Sequence, residues 1–179
     1  MASSTSASPA ERIRQAVGVY GSPSAVARLC GPVLLGTDPD PGFLVAIGGP
    51  HAQSMLDGRT RDDRYWFRTW AARALLYAWD PAVSRAVVSA LSDEAWRVRE
   101  MAAKVCLKRE LGEAGDALAF ILGDRVPRVR AAACRALGAV GEAEHAAALR
   151  SLLDDIDPDV RTRAAQALEA LSRRLDRPL

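Results

Sequence analysis

The 179 residues are 49% hydrophobic and 26% charged, and 24 basic against 22 acidic residues leave a formal charge of +2. That size fits one ordinary domain, that composition excludes disorder over the whole length, and that charge gives no global pull toward nucleic acid or an anionic membrane. No window approaches 18 consecutive apolar residues, and the first ten residues have neither the basic start nor the apolar run of a secretion signal. A cytoplasmic location without membrane contact is the expectation.

In chain order, residues 1–8 are rich in Ser and Ala and are predicted to be a disordered tail. Ser8-Pro9-Ala10-Glu11 is a helix start, predicting a helix to about Tyr20, and Ser22-Pro23 opens a second that reaches Gly31-Pro32. Gly36 to Gly42 reads as a turn-rich break, Phe43 to Ile47 as a short buried apolar piece, and 49–58 as a further helix. Residues 9–60 are therefore expected to form an N-terminal helical cap, as a solenoid needs over its open end.

From residue 61 a register takes over. Phe67-Arg68, Val98-Arg99, Val129-Arg130 and Val160-Arg161 recur every 31 positions. An aspartate stands six residues before each arginine (Asp62, Asp93, Asp124, Asp155), and small residues follow at +3 and +4, as in Ala102-Ala103 and Ala133-Cys134. Apolar positions at −1, +3, +4 and +7 make the stripe of an amphipathic helix, and a second set at −13, −12, −9 and −8 makes another. Pro127 and Pro158 fall in the first helical turn, where the missing N–H costs nothing. Helices near 64–78, 94–108, 127–139 and 158–173 should alternate with 81–91, 114–123 and 143–153. Residues 174–179 are a short charged tail.

Self-similarity at this period means stacked helical hairpins. The pattern L-x-D-x-x-x-x-V-R-x-x-A-A-x-A-L resembles the short bacterial HEAT-like repeat, also described as the phycobilisome-lyase type. Leu122, Asp124, Val129, Arg130, Ala133, Ala136 and Leu137 match it best, and the likeness covers about residues 61–172. It implies an all-α, right-handed α-solenoid of about four HEAT-like hairpins (61–173) behind the cap. It does not specify function, since such scaffolds serve many tasks. Phycobilin lyases and alkylpurine DNA glycosylases use related folds, but no residue here specifies pigment binding or a glycosylase motif.

The Arg and Asp columns could bind phosphates; because every repeat carries both partners, they read instead as ion pairs laced across the turns. Aromatics break the repeat and so carry more information. Tyr65 and Trp96 stand where later units have proline, and Trp66 stands in a column that other units fill with Arg97, Arg128 and Asp159. Together they suggest a partner-binding ridge, with packing on the cap as the alternative. Tyr77 and Trp79 are expected to bury against the cap. The second helices of the hairpins leave Arg85, Phe120 and Arg150 off the apolar stripe, so these join the partner-binding set.

A nucleic-acid reading would use Arg64, Arg97, Arg125 and Arg128 around the helix starts, with the aromatics stacking on bases. Charge argues against it: residues 1–60 are net zero, 61–110 net +3 and 111–179 net −1. Cys30, Cys106 and Cys134 lack metal spacing, His51 and His145 have no ligand neighbours at metal spacing, and no phosphate-loop or nucleophile-elbow motif occurs. No catalytic residue, metal or cofactor is expected. The sequence points to a non-enzymatic HEAT-repeat scaffold for a protein partner, with nucleic-acid binding as the alternative.

Overall fold

A computed structural model describes residues 7–61 and 63–178. The expected tail (residues 1–6 of it), Asp62 of the aspartate column and Leu179 lie outside the described residues. Among those described, α-helices and short 3₁₀ turns make up the regular structure and no strand occurs. The fold is of the all-α solenoid class, and no helix is long and apolar enough to cross a membrane. The chain forms two compact units, residues 1–86 and 87–179.

The first three helices begin where short polar residues precede proline. Helix α1 (Pro9–Tyr20) carries a reciprocal cap: Ser8 N–H donates to Glu11 Oε2 at 2.7 Å, and Glu11 N–H donates to Ser8 Oγ at 3.3 Å. Ser22 caps α2 (Pro23–Leu34) by accepting from Ala25 N–H at 3.0 Å, and Asp40 caps α3 (Pro41–Gly48) by accepting from Phe43 N–H at 3.0 Å. The apolar piece at 43–47 thus lies inside a helix. It buries Phe43, Leu44 and Ile47 on one face, and the apolar Val45 and Ala46 between them hid the helical period. Gly49 separates α3 from α4 (Pro50–Leu56) at φ +72°, a left-handed turn that favours glycine.

Helix α5 (Tyr65–Ala74) is the first with the repeat pattern, and it packs on α2 and α3 of the expected cap. Trp70, almost fully buried, is its central side chain. Gly48 admits it: a Cβ there would lie 2.6 Å from both Trp70 Cε3 and Ala52 Cβ. Asp80 fastens α2 to the turn that follows α5. It accepts from the Ser24 hydroxyl, from Arg28 Nε at 2.7 Å and from Ala82 N–H at 2.8 Å. Ser84–Ala90 forms α6. One expectation fails: Tyr77 is 48% exposed, because the last turn of α5 tightens after Ala74 and swings the ring out of the buried stripe.

The second unit holds α7 (Trp96–Arg109), α8 (Gly115–Phe120), α9 (Pro127–Val140), α10 (Ala146–Ser151) and α11 (Pro158–Arg174). The long helices α7, α9 and α11 pack in succession, and α8 and α10 lie against α9 and α11. Alanines and glycine allow the close approach. A Cβ on Gly138 would sit 2.9 Å from Ala167 Cα, and Ala102, Ala103, Ala133, Cys134 and Ala164 are all buried.

The recurring arginine joins successive repeats. Arg99 holds Asp124 with two bonds, Nε at 2.6 Å and Nη2 at 3.1 Å, while its Nη1 donates to the carbonyl of Asp93 at 2.7 Å. One repeat later Arg130 does the same, to Asp155 at 2.7 and 2.6 Å and to the Asp124 carbonyl at 2.8 Å. Each aspartate also accepts from the N–H two residues on: Ala95, Val126 and Asp157, all at 2.8 Å. One carboxylate therefore closes its own turn and receives the preceding repeat's guanidinium.

These contacts make the carboxyls acidic. Burial alone would raise Asp124, but the Arg99 bonds, the Val126 N–H and the charges of Arg99 and Arg130 outweigh it. Asp155 is lowered chiefly by its bonds to Arg130. Asp80 falls from 3.8 to about 2 through Ser24, the Ala82 N–H and Arg28. A carboxyl depressed in the folded state stabilises the fold above its unfolded pKa, and that stability is lost as pH falls through the folded value. Urea midpoints should therefore hold steady from pH 7 to 5 and fall progressively from about pH 4 toward 2. A midpoint unchanged at pH 2.5 would mean the pairs contribute nothing.

Candidate functional site

The sequence-predicted partner residues fall into both units. In the first, Tyr65 and Trp66 stack with centroids 5.3 Å apart, Trp66 stacks on Trp70 at 5.9 Å, and the His51 ring of α4 meets both tryptophans edge-on at 5.3 Å. Both Tyr65 and Trp66 are half-buried. The ring of Trp66 thus rests on α4, inside the expected cap, and presents one side to solvent. Arg64 pairs with Asp38, 2.6 Å from Nη1 to Oδ2. Arg85 is exposed on α6.

In the second unit the half-buried Trp96 lies beneath two guanidinium groups, Arg97 at 4.4 Å and Arg128 at 5.5 Å from the ring centroid. Arg128 also donates to Glu100 through Nε at 3.2 Å and Nη2 at 3.1 Å, and Lys104 reaches the same Oε1 at 2.8 Å. Sequence reasoning missed Glu100, a carboxylate buried among cations; the available signal was Lys104 one helical turn on, on the same face. Arg150 on α10 is exposed.

Phe120 ends α8 and is 81% exposed. It stands on the rim of an open depression of about 620 Å³ lined by Leu91, Ile121, Glu94 and Arg125, with the Arg99–Asp124 pair in its wall. Arg125 is exposed and makes no ion pair among the described residues. The depression offers apolar surface beside charges of both signs. That combination suits a peptide or protein surface better than a reactive small molecule.

Groups with chemical potential are tied elsewhere. The three cysteines are fully buried, and burial pushes each thiol up to about 12, so they act as small core fillers. His145 is buried beside exposed Asp116 and Glu144, and the possible ligand atoms of the three lie within 4.8 Å of one another. Its ring, however, serves the turn: Glu142 N–H donates to Nδ1 at 2.8 Å. The ring hydrogen therefore sits on Nε2, which has no hydrogen-bond partner and lies 3.5 Å from Asp116 Oδ1. A metal-bound imidazole needs a bare nitrogen toward the metal and donates from the other, the reverse of this arrangement. Gly115 makes room for the ring, since a Cβ there would lie 2.9 Å from His145 Cε1.

Residues 85–169 match the family model for HEAT repeats. No curated protein matches the chain. Among solved structures, the crystal structure of an engineered protein is similar over 93% of this chain and 85% of its own, with a TM-score of 0.56 and 20% identity. A chain of the complex of CpcE and CpcF of phycocyanin lyase from Nostoc sp. PCC7120 is similar over 88% and 98%, with a TM-score of 0.52 and 22% identity. At these identities the likeness is one of fold.

Proposed function

Since residues 85–169 carry HEAT repeats, we propose that the chain is a non-enzymatic scaffold holding a protein partner on its second unit. The observation that carries this is Phe120, a large ring 81% exposed at the edge of an open, partly apolar depression. A large aromatic exposed to that degree, with exposed Glu94 and Arg125 lining the same depression, has the make-up of an interface anchor with a polar rim. Arg150 and Trp96 of the second unit, and Tyr65, Trp66 and Arg85 of the first, are further candidate contacts. The Nostoc neighbour is itself described as part of a complex of two proteins, which is in keeping with a protein partner.

Nucleic-acid binding is the weaker reading, because its cations are already engaged. Arg64 is paired with Asp38, Arg128 with Glu100, and Arg97 lies over Trp96. Arg125 makes no ion pair among the described residues.

Replacing Phe120 with Glu tests the proposal. Because the ring is exposed, the variant should unfold within about 2 °C of the parent. Its capture of the native-host partner held by immobilised parent protein should fall at least about tenfold, as loss of a central anchor requires. Equal capture by the parent and the Phe120→Glu variant would remove this surface from the interface.

A further inference from the structure

Two guanidinium groups of the first unit converge on the junction between α3 and α4 without a carboxylate. Arg12, on α1, is half-buried; its Nη1 donates to the Ala7 carbonyl, and its Nε is shut off from solvent with no hydrogen-bond partner. The guanidinium lies over Gly49, where a Cβ would be 3.0 Å from Nε and 3.2 Å from Cζ. Arg73, on α5, is half-buried as well, and its Nη2 reaches the Ile47 carbonyl at a long 3.4 Å. Among the described residues neither makes an ion pair, although Arg28, Arg99 and Arg130 each meet an aspartate.

This arrangement is out of keeping with the rest of the molecule. Burial first, and then the charge of Arg12, pull Arg73 below its ordinary value, so the two cations repel each other across a partly desolvated gap. The carbonyl end of α3, an eight-residue helix, supplies only about half a negative charge. Charges withdrawn from water are normally paired, and an orphaned buried donor calls for a partner.

We propose that Arg12 and Arg73 form a binding site for an oxyanion, a phosphate or carboxylate group seated over the α3–α4 junction. Two cations match a dianionic phosphate in charge, and guanidinium forks match its oxygens in geometry. Gly49 belongs to the site because any side chain there would push Arg12 away. The site is independent of the Phe120 surface on the second unit.

The test is thermal unfolding of the full chain at pH 7.5 and constant ionic strength. Chloride serves as the reference anion, against inorganic phosphate in one arm and succinate in the other. At about ten times its dissociation constant, a bound anion should raise the midpoint by about 4 °C. That rise should vanish in Arg73→Met and in Arg12→Gln. In chloride, Arg73→Met should unfold no lower than the parent, because it relieves repulsion. The larger shift of the two arms names the source, phosphate or carboxylate. Three results would overturn the site: no shift with either anion, the same shift in parent and variants, or a drop of several degrees for Arg73→Met in chloride.

Discussion

Asp124→Ala is expected to lower stability by about 3 kcal/mol, which at this chain length is a midpoint about 9 °C lower. The carboxylate accepts from Nε and Nη2 of Arg99 and from the N–H of Val126, and its side chain is almost wholly shielded. Alanine removes the turn's cap, worth about 1 kcal/mol, and leaves a largely buried guanidinium with its Nη1 bonds to the Asp93 and Glu94 carbonyls but no counter-charge. Asp124→Asn keeps one oxygen for Val126 and Arg99 Nη2 but loses the charge and sets an NH2 against Arg99 Nε, so it should cost less than the alanine variant while remaining destabilising. A loss below about 1 kcal/mol in the alanine variant, measured by urea unfolding, would mean that solvent replaces the pair and that the arginine column is free for other use.

Trp70→Ala should cost about 4 kcal/mol, the larger of the two effects. Trp70 is 2% exposed and touches Trp66, Phe67 and His51 through ring contacts between 5.3 and 6.2 Å. Its removal leaves a cavity bounded by α3, α4 and α5. Gly48→Ala approaches the same ring from the other side and should cost about 2 kcal/mol by overpacking. Trp66→Ala, half-buried at the edge of the cluster, should cost clearly less than Trp70→Ala. Equal losses for the two tryptophans would place Trp66 in the core and withdraw it from the partner surface.

The repeat array was legible in the sequence because its structure is periodic. The 31-residue register places Arg99 against Asp124 and Arg130 against Asp155, and proline marks the starts of α9 and α11. Where no period exists, local signals carried the reading. The caps at Ser8 and Ser22 are as expected, whereas α3 was concealed because three of its large apolar residues are buried with little polar face between them.

Burial at single positions was the least legible feature, because it depends on neighbours remote in the chain. Tyr77 is exposed after the final turn of α5 tightens. Glu100 is buried because Arg128, 28 residues later, folds over it. Arg12 and Arg73 meet over residues 47–49, a convergence that no spacing rule encodes. Phe120 was visible as a large ring off the apolar stripe, but the depression beside it comes from the turns around Glu94 and Arg125.

On the proposed reading, the arginines of the repeat array serve the scaffold and leave a protein-binding surface, not a nucleic-acid track. Fluorescence anisotropy of labelled single- and double-stranded oligonucleotides, at low and at physiological salt, tests it most directly. With Arg99 and Arg130 held by aspartates and Arg128 by Glu100, no saturable binding is expected in either salt. Tight binding that weakens steeply with salt and is lost in Arg125→Ala or Arg128→Ala would show instead that those side chains contact phosphates and that the surface is a nucleic-acid track.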